Sequence, residues 1–130
     1  MIREVRSEED VLAARHAVRA AAVVAGLDLI GQTKIVTAAS EMGRNAYVHG
    51  GGGTMVITEL VGPGGRRGLR LAVTDRGPGI FDVEAALVDG FSTCAGLGHG
   101  LGGTRRLVDE FSIDTAVGEG TTVTVVRWVA

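Results

Sequence analysis

Four short constellations in this sequence bring together residue types that can do chemistry. Glu41 and Asn45 stand four residues apart, so on a helix they share a face. A carboxylate there can orient or deprotonate a nucleophile. An amide oxygen is a hard neutral ligand, suited to Mg²⁺ held mainly by phosphates. An exposed polar pair on an ordinary helix has the same spacing. Asp75-Arg76-Gly77-Pro78-Gly79 closes an apolar run with a carboxylate and small residues. A buried carboxylate needs donors. An adenine N6 amino group is one, whereas guanine offers an oxygen there. Gly77 and Gly79 would let a flat ring approach the backbone. A strand-to-turn cap reads the same way.

The third constellation is GFSTCAGLGHGLGG, residues 90–103, in which Gly96, Gly98, Gly100 and Gly102 alternate just before a helical stretch. Small residues expose backbone N–H groups, and a helix N-terminus favours anions. A phosphate chain could lie across such a loop, with Ser92 and Thr93 adding hydroxyls; a flexible surface loop is the alternative. No βαβ unit surrounds it, which tells against a dinucleotide-type loop. The fourth is Gly118-Glu119-Gly120-Thr121. It reads as a hairpin turn, with Thr121 at the strand start able to aim a hydroxyl toward Asp75.

The elements that must position these groups follow from pattern. Residues 1–6 alternate weakly and predict an edge strand. Ser7-Glu8-Glu9-Asp10 is a helix start, a hydroxyl cap followed by acids, and the helix runs to Ala25 with Gly26 as its C-cap. A second helix is predicted from about Thr33 to Val48. Ile35, Ala38, Ala39, Met42 and Ala46 recur at helical spacing as its buried face. Strands follow at 54–61 and 69–75 around the turn GPGGRRG, then a short helix near 82–89, the glycine loop and a helix at 101–110. FSIDTAV and TTVTVVRWV form a last hairpin. The order β-α-α-β-β-α-α-β-β predicts a two-layer α/β (α+β) sandwich rather than a doubly wound sheet.

Composition excludes several classes. The 130 residues suit one domain, and 45% are apolar, enough for a core. A net charge of -2 gives no global pull toward nucleic acid or an anionic membrane. Lys34 is the only lysine and lies in no Walker pattern. Cys94 is the only cysteine, and His16, His49 and His99 are scattered, so neither a disulfide nor a metal-ligand spacing is present. The charged start MIREVRSEED is no signal peptide, and no run of about 18 apolar residues occurs. A cytoplasmic setting is the expectation. The 21 glycines are roughly twice the usual share of about 7% and cluster, which argues for built loops.

Taken together and in order, Glu41-x-x-x-Asn45, Asp75-x-Gly77-x-Gly79, the 96–102 loop and Gly118-x-Gly120-Thr121 resemble the GHKL, or Bergerat-fold, ATPases over essentially the whole chain. The stretches EMGRNAYVHGGGG, DGFST and GEGTTVTV resemble more closely the RsbT-type serine/threonine kinases of bacterial partner-switching modules. The resemblance implies a single ATP-binding kinase domain over 1–130, with a mixed, mostly antiparallel sheet and helices on one face.

It also implies residue roles. Asn45 would ligate Mg²⁺, and Glu41 would position or activate the attacking group. Asp75 would read adenine, with Thr121 helping through a water and Gly77 and Gly79 giving room. Gly96, Leu97, Gly98, His99, Gly100 and Leu101 would form the ATP lid, and Arg44 and Arg105 would add positive charge. No lysine reaches the phosphates, so catalysis would lean on Mg²⁺, backbone amides and arginine.

The implied activity is transfer of a phosphoryl group from ATP to a STAS-domain antagonist protein. A phosphatase or sigma factor is a second class of partner, and a homodimer stays open; nucleic acid and membrane are not expected partners. The alternative is a non-catalytic switch that binds a regulator according to nucleotide state. The presence of Glu41 favours chemistry, because a pure switch would tolerate its loss. A histidine-kinase catalytic domain fits less well: residues 1–32 are too short for a dimerising helical hairpin, and His16 lies in an Ala/Val-rich stretch without acidic and proline neighbours.

Overall fold

The computed structural model describes residues 1–77 and 101–130. The elements are β1 (Ile2–Val5), α1 (Glu8–Ala25), α2 (Leu29–His49), β2 (Gly53–Val61), β3 (Arg67–Asp75), α3 (Leu101–Arg106), β4 (Glu110–Ala116) and β5 (Gly120–Trp128). The helix expected near 82–89, and residues 90–100 of the loop expected over 90–103, lie outside the described residues; residues 101–103 belong to α3.

α1 forms as its signals require. The Ser7 hydroxyl accepts from the Asp10 N–H at 3.1 Å, and three acids occupy the positive end of the helix dipole. Gly26 ends the helix at φ 95, with Leu27 N–H donating to Ala22 O and Gly26 N–H to Val23 O. α2 starts at Leu29, four residues before the expected Thr33. Asp28 is the cap, its Oδ1 accepting from Gly31 N–H at 2.8 Å. Gly31 looks like a breaker in sequence. It is buried instead, and a Cβ there would meet Asp28 Oδ1 at 3.1 Å and Arg127 Nε at 3.3 Å.

The sheet order is β1-β2-β3-β5-β4. All four pairings are antiparallel, so among the described residues the sheet is antiparallel throughout rather than mixed. α1 lies over β1 to β3, and α2 over the same strands and β5. Strand residues alternate accordingly. Met55, Ile57, Leu69, Leu71, Val73, Val123 and Val125 are buried beneath the helices, and Val56 on the other face is exposed. Each large apolar side chain so buried contributes roughly 1.5–3 kcal/mol. The expected helical face of Ile35, Ala38, Ala39, Met42 and Ala46 is entirely buried. α3 is shorter than the expected 101–110. Leu107 N–H turns back to Thr104 O, and Asp109 N–H already joins Val126 O of the sheet.

Candidate functional site

One end of the sheet gathers most of the described candidates. β3 ends at Asp75, which lies between Gly53 of β2 and Thr121 of β5 in register. By the same alternation Asp75 and Thr121 are on the helix-facing side, below the last turn of α2. Both are buried, at 7% and 5% exposure, as is Asn45 at 6%. Glu41, one turn earlier on α2, is half-buried.

Asp75 Oδ1 accepts the Gly77 N–H at 2.9 Å, an Asx-type turn that fixes the carboxylate plane. The hydroxyls of Thr121 and Thr115 are 2.9 Å apart, and Thr115 donates to Gly120 O at 3.1 Å. A hydroxyl has one proton, so Thr121 supplies the proton between the two threonines and keeps its own acceptor capacity. The C-terminus of α2 is clamped onto this corner: Gly50 N–H and Gly52 N–H both donate to Ala46 O.

Glycines make the corner tight. A Cβ at Gly120 would fall within 3.0 Å of Asp75 O, Asp75 C and Arg76 Cα, and one at Gly53 within 3.2 Å of the Thr74 carbonyl and Ala46 Cβ. In sequence, His49-Gly50-Gly51 reads only as the stop of the second helix, and this packing was missed. The available signal was excess, since one C-cap glycine suffices to end a helix. The Thr115 hydroxyl was missed too, and no pattern marks it.

Other expectations sort as follows. Leu101 is fully buried in the hydrophobic core, where its side chain holds α3 against the fold. Gly79, Gly96, Leu97, Gly98, His99 and Gly100 lie outside the described residues. Arg105 is exposed. Arg44 is turned toward α1, its Nε 3.2 Å from Glu8 Oε1, the same oxygen that receives the Tyr47 hydroxyl. The Tyr47 hydrogen bond, then the Arg44 one, lowers the Glu8 pKa; the Glu8 carboxylate in turn raises those of Tyr47 and Arg44.

Cavity size alone does not find this corner. A groove of about 910 Å³ lies elsewhere, between α1 and β2, lined by His16, Ala17, Ala20, Val24, Ile57 and Glu59 among others. It contains none of the four constellations, whereas the Asp75 corner holds a buried carboxylate that has to be matched by donors.

Comparison with known proteins gives the family. Residues 5–127 match the histidine kinase-like ATPase domain family. The chain is 42% identical over 125 residues to the serine/threonine-protein kinase RsbT of Bacillus subtilis (strain 168), covering 96% of this chain and 93% of that protein. The chain therefore belongs to the histidine kinase-like ATPases and, within them, to the RsbT-type serine/threonine kinases, which use ATP.

Among solved structures it is similar to the RsbU and RsbW domains of Rv1364c from Mycobacterium tuberculosis, with TM-score 0.64 and 23% identity over 98% of this chain. A histidine kinase domain from Erythrobacter litoralis, of the EL346 blue-light activated histidine kinase, gives TM-score 0.54 and 20% identity over 92% of this chain. The chain spans 32% of the first and 59% of the second, and at these identities the likeness is one of fold. No described helix is long and apolar enough to cross a membrane.

Proposed function

We propose that this chain transfers the γ-phosphoryl group of ATP to a serine or threonine hydroxyl on a STAS-domain antagonist protein, in a cytoplasmic partner-switching module. The observation that carries the reading is the buried Asp75 carboxylate, held by Gly77 N–H beside Thr121 and under the end of the helix that bears Glu41 and Asn45.

The residues suit an adenine nucleotide. One carboxylate oxygen takes the turn N–H, which leaves the other for the N6 amino group. Thr121 keeps an acceptor for a water at the ring edge. Guanine would set an oxygen against the carboxylate. The glycine-lined corner lets the ring lie on the backbone. Asn45 is the described residue that would hold Mg²⁺. Among the described residues no three His, Cys, Asp or Glu side chains come together, so the ion would rest on one amide and on the phosphates. When bound, Mg²⁺ neutralises charge on the phosphates during transfer.

In the reaction the acceptor oxygen forms a bond to the γ-phosphorus as the bond to the β,γ-bridging oxygen breaks. ADP leaves, and the hydroxyl proton passes to the Glu41 carboxylate. The chain's own work is positioning, with Asp75 and Thr121 fixing the base and Asn45 and Glu41 the reacting end.

The test is intact-mass analysis of a STAS-domain protein after incubation with this chain and Mg-ATP. We expect a gain of one phosphoryl mass that is lost with Glu41→Gln and with Asn45→Ala. A nucleotide-dependent complex without mass gain would replace the kinase reading by a binding switch.

A further inference from the structure

The Asp75 carboxylate is held in place by more than its turn. Gly50, the residue after α2, has φ -102 and ψ 0, a conformation open to any residue. Its backbone therefore does not require glycine. Space does. A Cβ at Gly50 would fall within 2.6 Å of Cβ, Cγ and Oδ1 of Asp75, closer than real contacts allow. Gly77 in turn lies against Gly50 itself, since a Cβ there would come within 3.1 Å of Gly50 Cα, Gly50 C and His49 O. The neighbours are glycines for another reason. Gly51 and Gly52 have φ of 72 and 113, and a Cβ at Gly51 would meet nothing within 4 Å.

We propose that Gly50 is a positioning residue for base selection: its bare Cα seats the Asp75 carboxylate, and a side chain there would push that carboxylate off the adenine amino group. Resting on the reading of Asp75 given above, this adds a coupling. Gly50 directly follows the helix that carries Glu41 and Asn45, so one backbone contact sets the base end of the site against its phosphate end. The displacement is local. Thr121 and the sheet register keep their places, so the rest of the site survives while the distinction between bases is lost.

The experiment measures equilibrium binding of two probes to the full chain, ATP and purine riboside triphosphate, which carries hydrogen in place of the N6 amino group. A hydrogen bond from that amino group to a carboxylate predicts that the wild type prefers ATP by about tenfold to a hundredfold. Gly50→Ala is expected to bring ATP down to the affinity of the analogue and to change the analogue by less than about threefold. Gly51→Ala, strained in backbone but open in space, is expected to keep the wild-type ratio. A general loss of structure would weaken both probes together, so the ratio reports positioning. A folded Gly50→Ala protein that still prefers ATP overturns the inference and leaves the reading of Asp75 intact. A wild type that does not distinguish the probes removes the reading itself, and the inference with it. If Gly50→Ala does not fold, Gly50→Ala with Asp75→Gly decides. Recovery of a cooperative melting transition supports the contact, and a double variant as unfolded as the single one overturns it.

Discussion

The two ends of β3 are built alike and used differently. At one end glycines give way to a carboxylate: Gly50 and Gly120 have no room for a Cβ beside Asp75 or its backbone, and Gly77 has none beside Gly50. At the other, glycines give way to a ring. A Cβ at Gly68 would fall within 3.1 Å of Trp128 ring atoms, and one at Gly62 would meet the same ring at 3.1 Å. Arg66 stacks over that ring 5.7 Å from its centroid, and the Trp128 indole N–H donates to Glu110. The tryptophan end is a satisfied structural contact, apolar body packed and polar tip paired. The Asp75 end buries a charged group whose one donor among the described residues is the Gly77 N–H. The first arrangement needs nothing further; the second, among the described residues, has acceptor capacity to spare, which on our proposal an adenine amino group takes up.

That contrast is broken most sharply by a pair of substitutions. In Asp75→Asn, Gly77 N–H holds the amide oxygen where Oδ1 was, so the amide NH₂ faces the base and sets donor against donor. We expect ATP affinity to fall by about a hundredfold or more with little change in melting temperature. Trp128→Ala should do the reverse. It would cost about 2 kcal/mol, roughly 8 °C of melting temperature, since the ring is half-buried, and leave ATP affinity of the folded protein within about twofold. Calorimetry for binding and thermal melts for stability separate the two. A destabilised Asp75→Asn protein with normal affinity would make Asp75 a strut like Trp128.

A smaller effect sharpens the comparison from within the site. Thr121→Val keeps the shape and removes one hydroxyl. Thr115 still donates to Gly120 O, so the turn remains closed. What goes is an acceptor for water near the base, worth about threefold to tenfold in ATP affinity. The loss should be absent in the Asp75→Asn background, where the base is no longer held, and full additivity there would place Thr121 outside the base contact.

How far the sequence disclosed this depends on the kind of signal. Ser7 and Gly26 mark α1 because caps act through neighbouring backbone groups. The face of α2 from Ile35 to Ala46 is legible because burial repeats with the helical period. The start of α2 was misplaced because Asp28 is followed by Leu29 and Ile30, both exposed, and by a glycine that packs rather than breaks. Asp75 stood out as a carboxylate ending an apolar run. Gly50 did not, since a space requirement arises only when β3 is brought under α2, and nothing within ten residues of Gly50 encodes that meeting. Arg44 misled because its partner, Glu8, lies 36 positions away.

The exposed tether between α1 and α2 offers the mildest test and the one with a definite sign. Glu8 receives Tyr47 and Arg44 on one oxygen, which lowers its pKa from the ordinary 4.5. A carboxylate with a lowered folded-state pKa contributes stability above its unfolded value and loses it as pH falls through the folded one. Tyr47 has the opposite sense. Its phenol donates to Glu8, so its pKa is raised above the ordinary 10.0, and its contribution is present below that value and lost as pH climbs through the raised one. The difference in melting temperature between wild type and Glu8→Gln should therefore be greatest near neutrality and shrink toward both extremes. Because these groups are exposed, it should be small and decline with added salt. ATP affinity should not follow it, since the tether braces the outside of α2 while Asn45 is buried on that helix. A parallel loss of affinity in Glu8→Gln would mean that the angle of α2 over Asp75 is set from this surface as well as from Gly50.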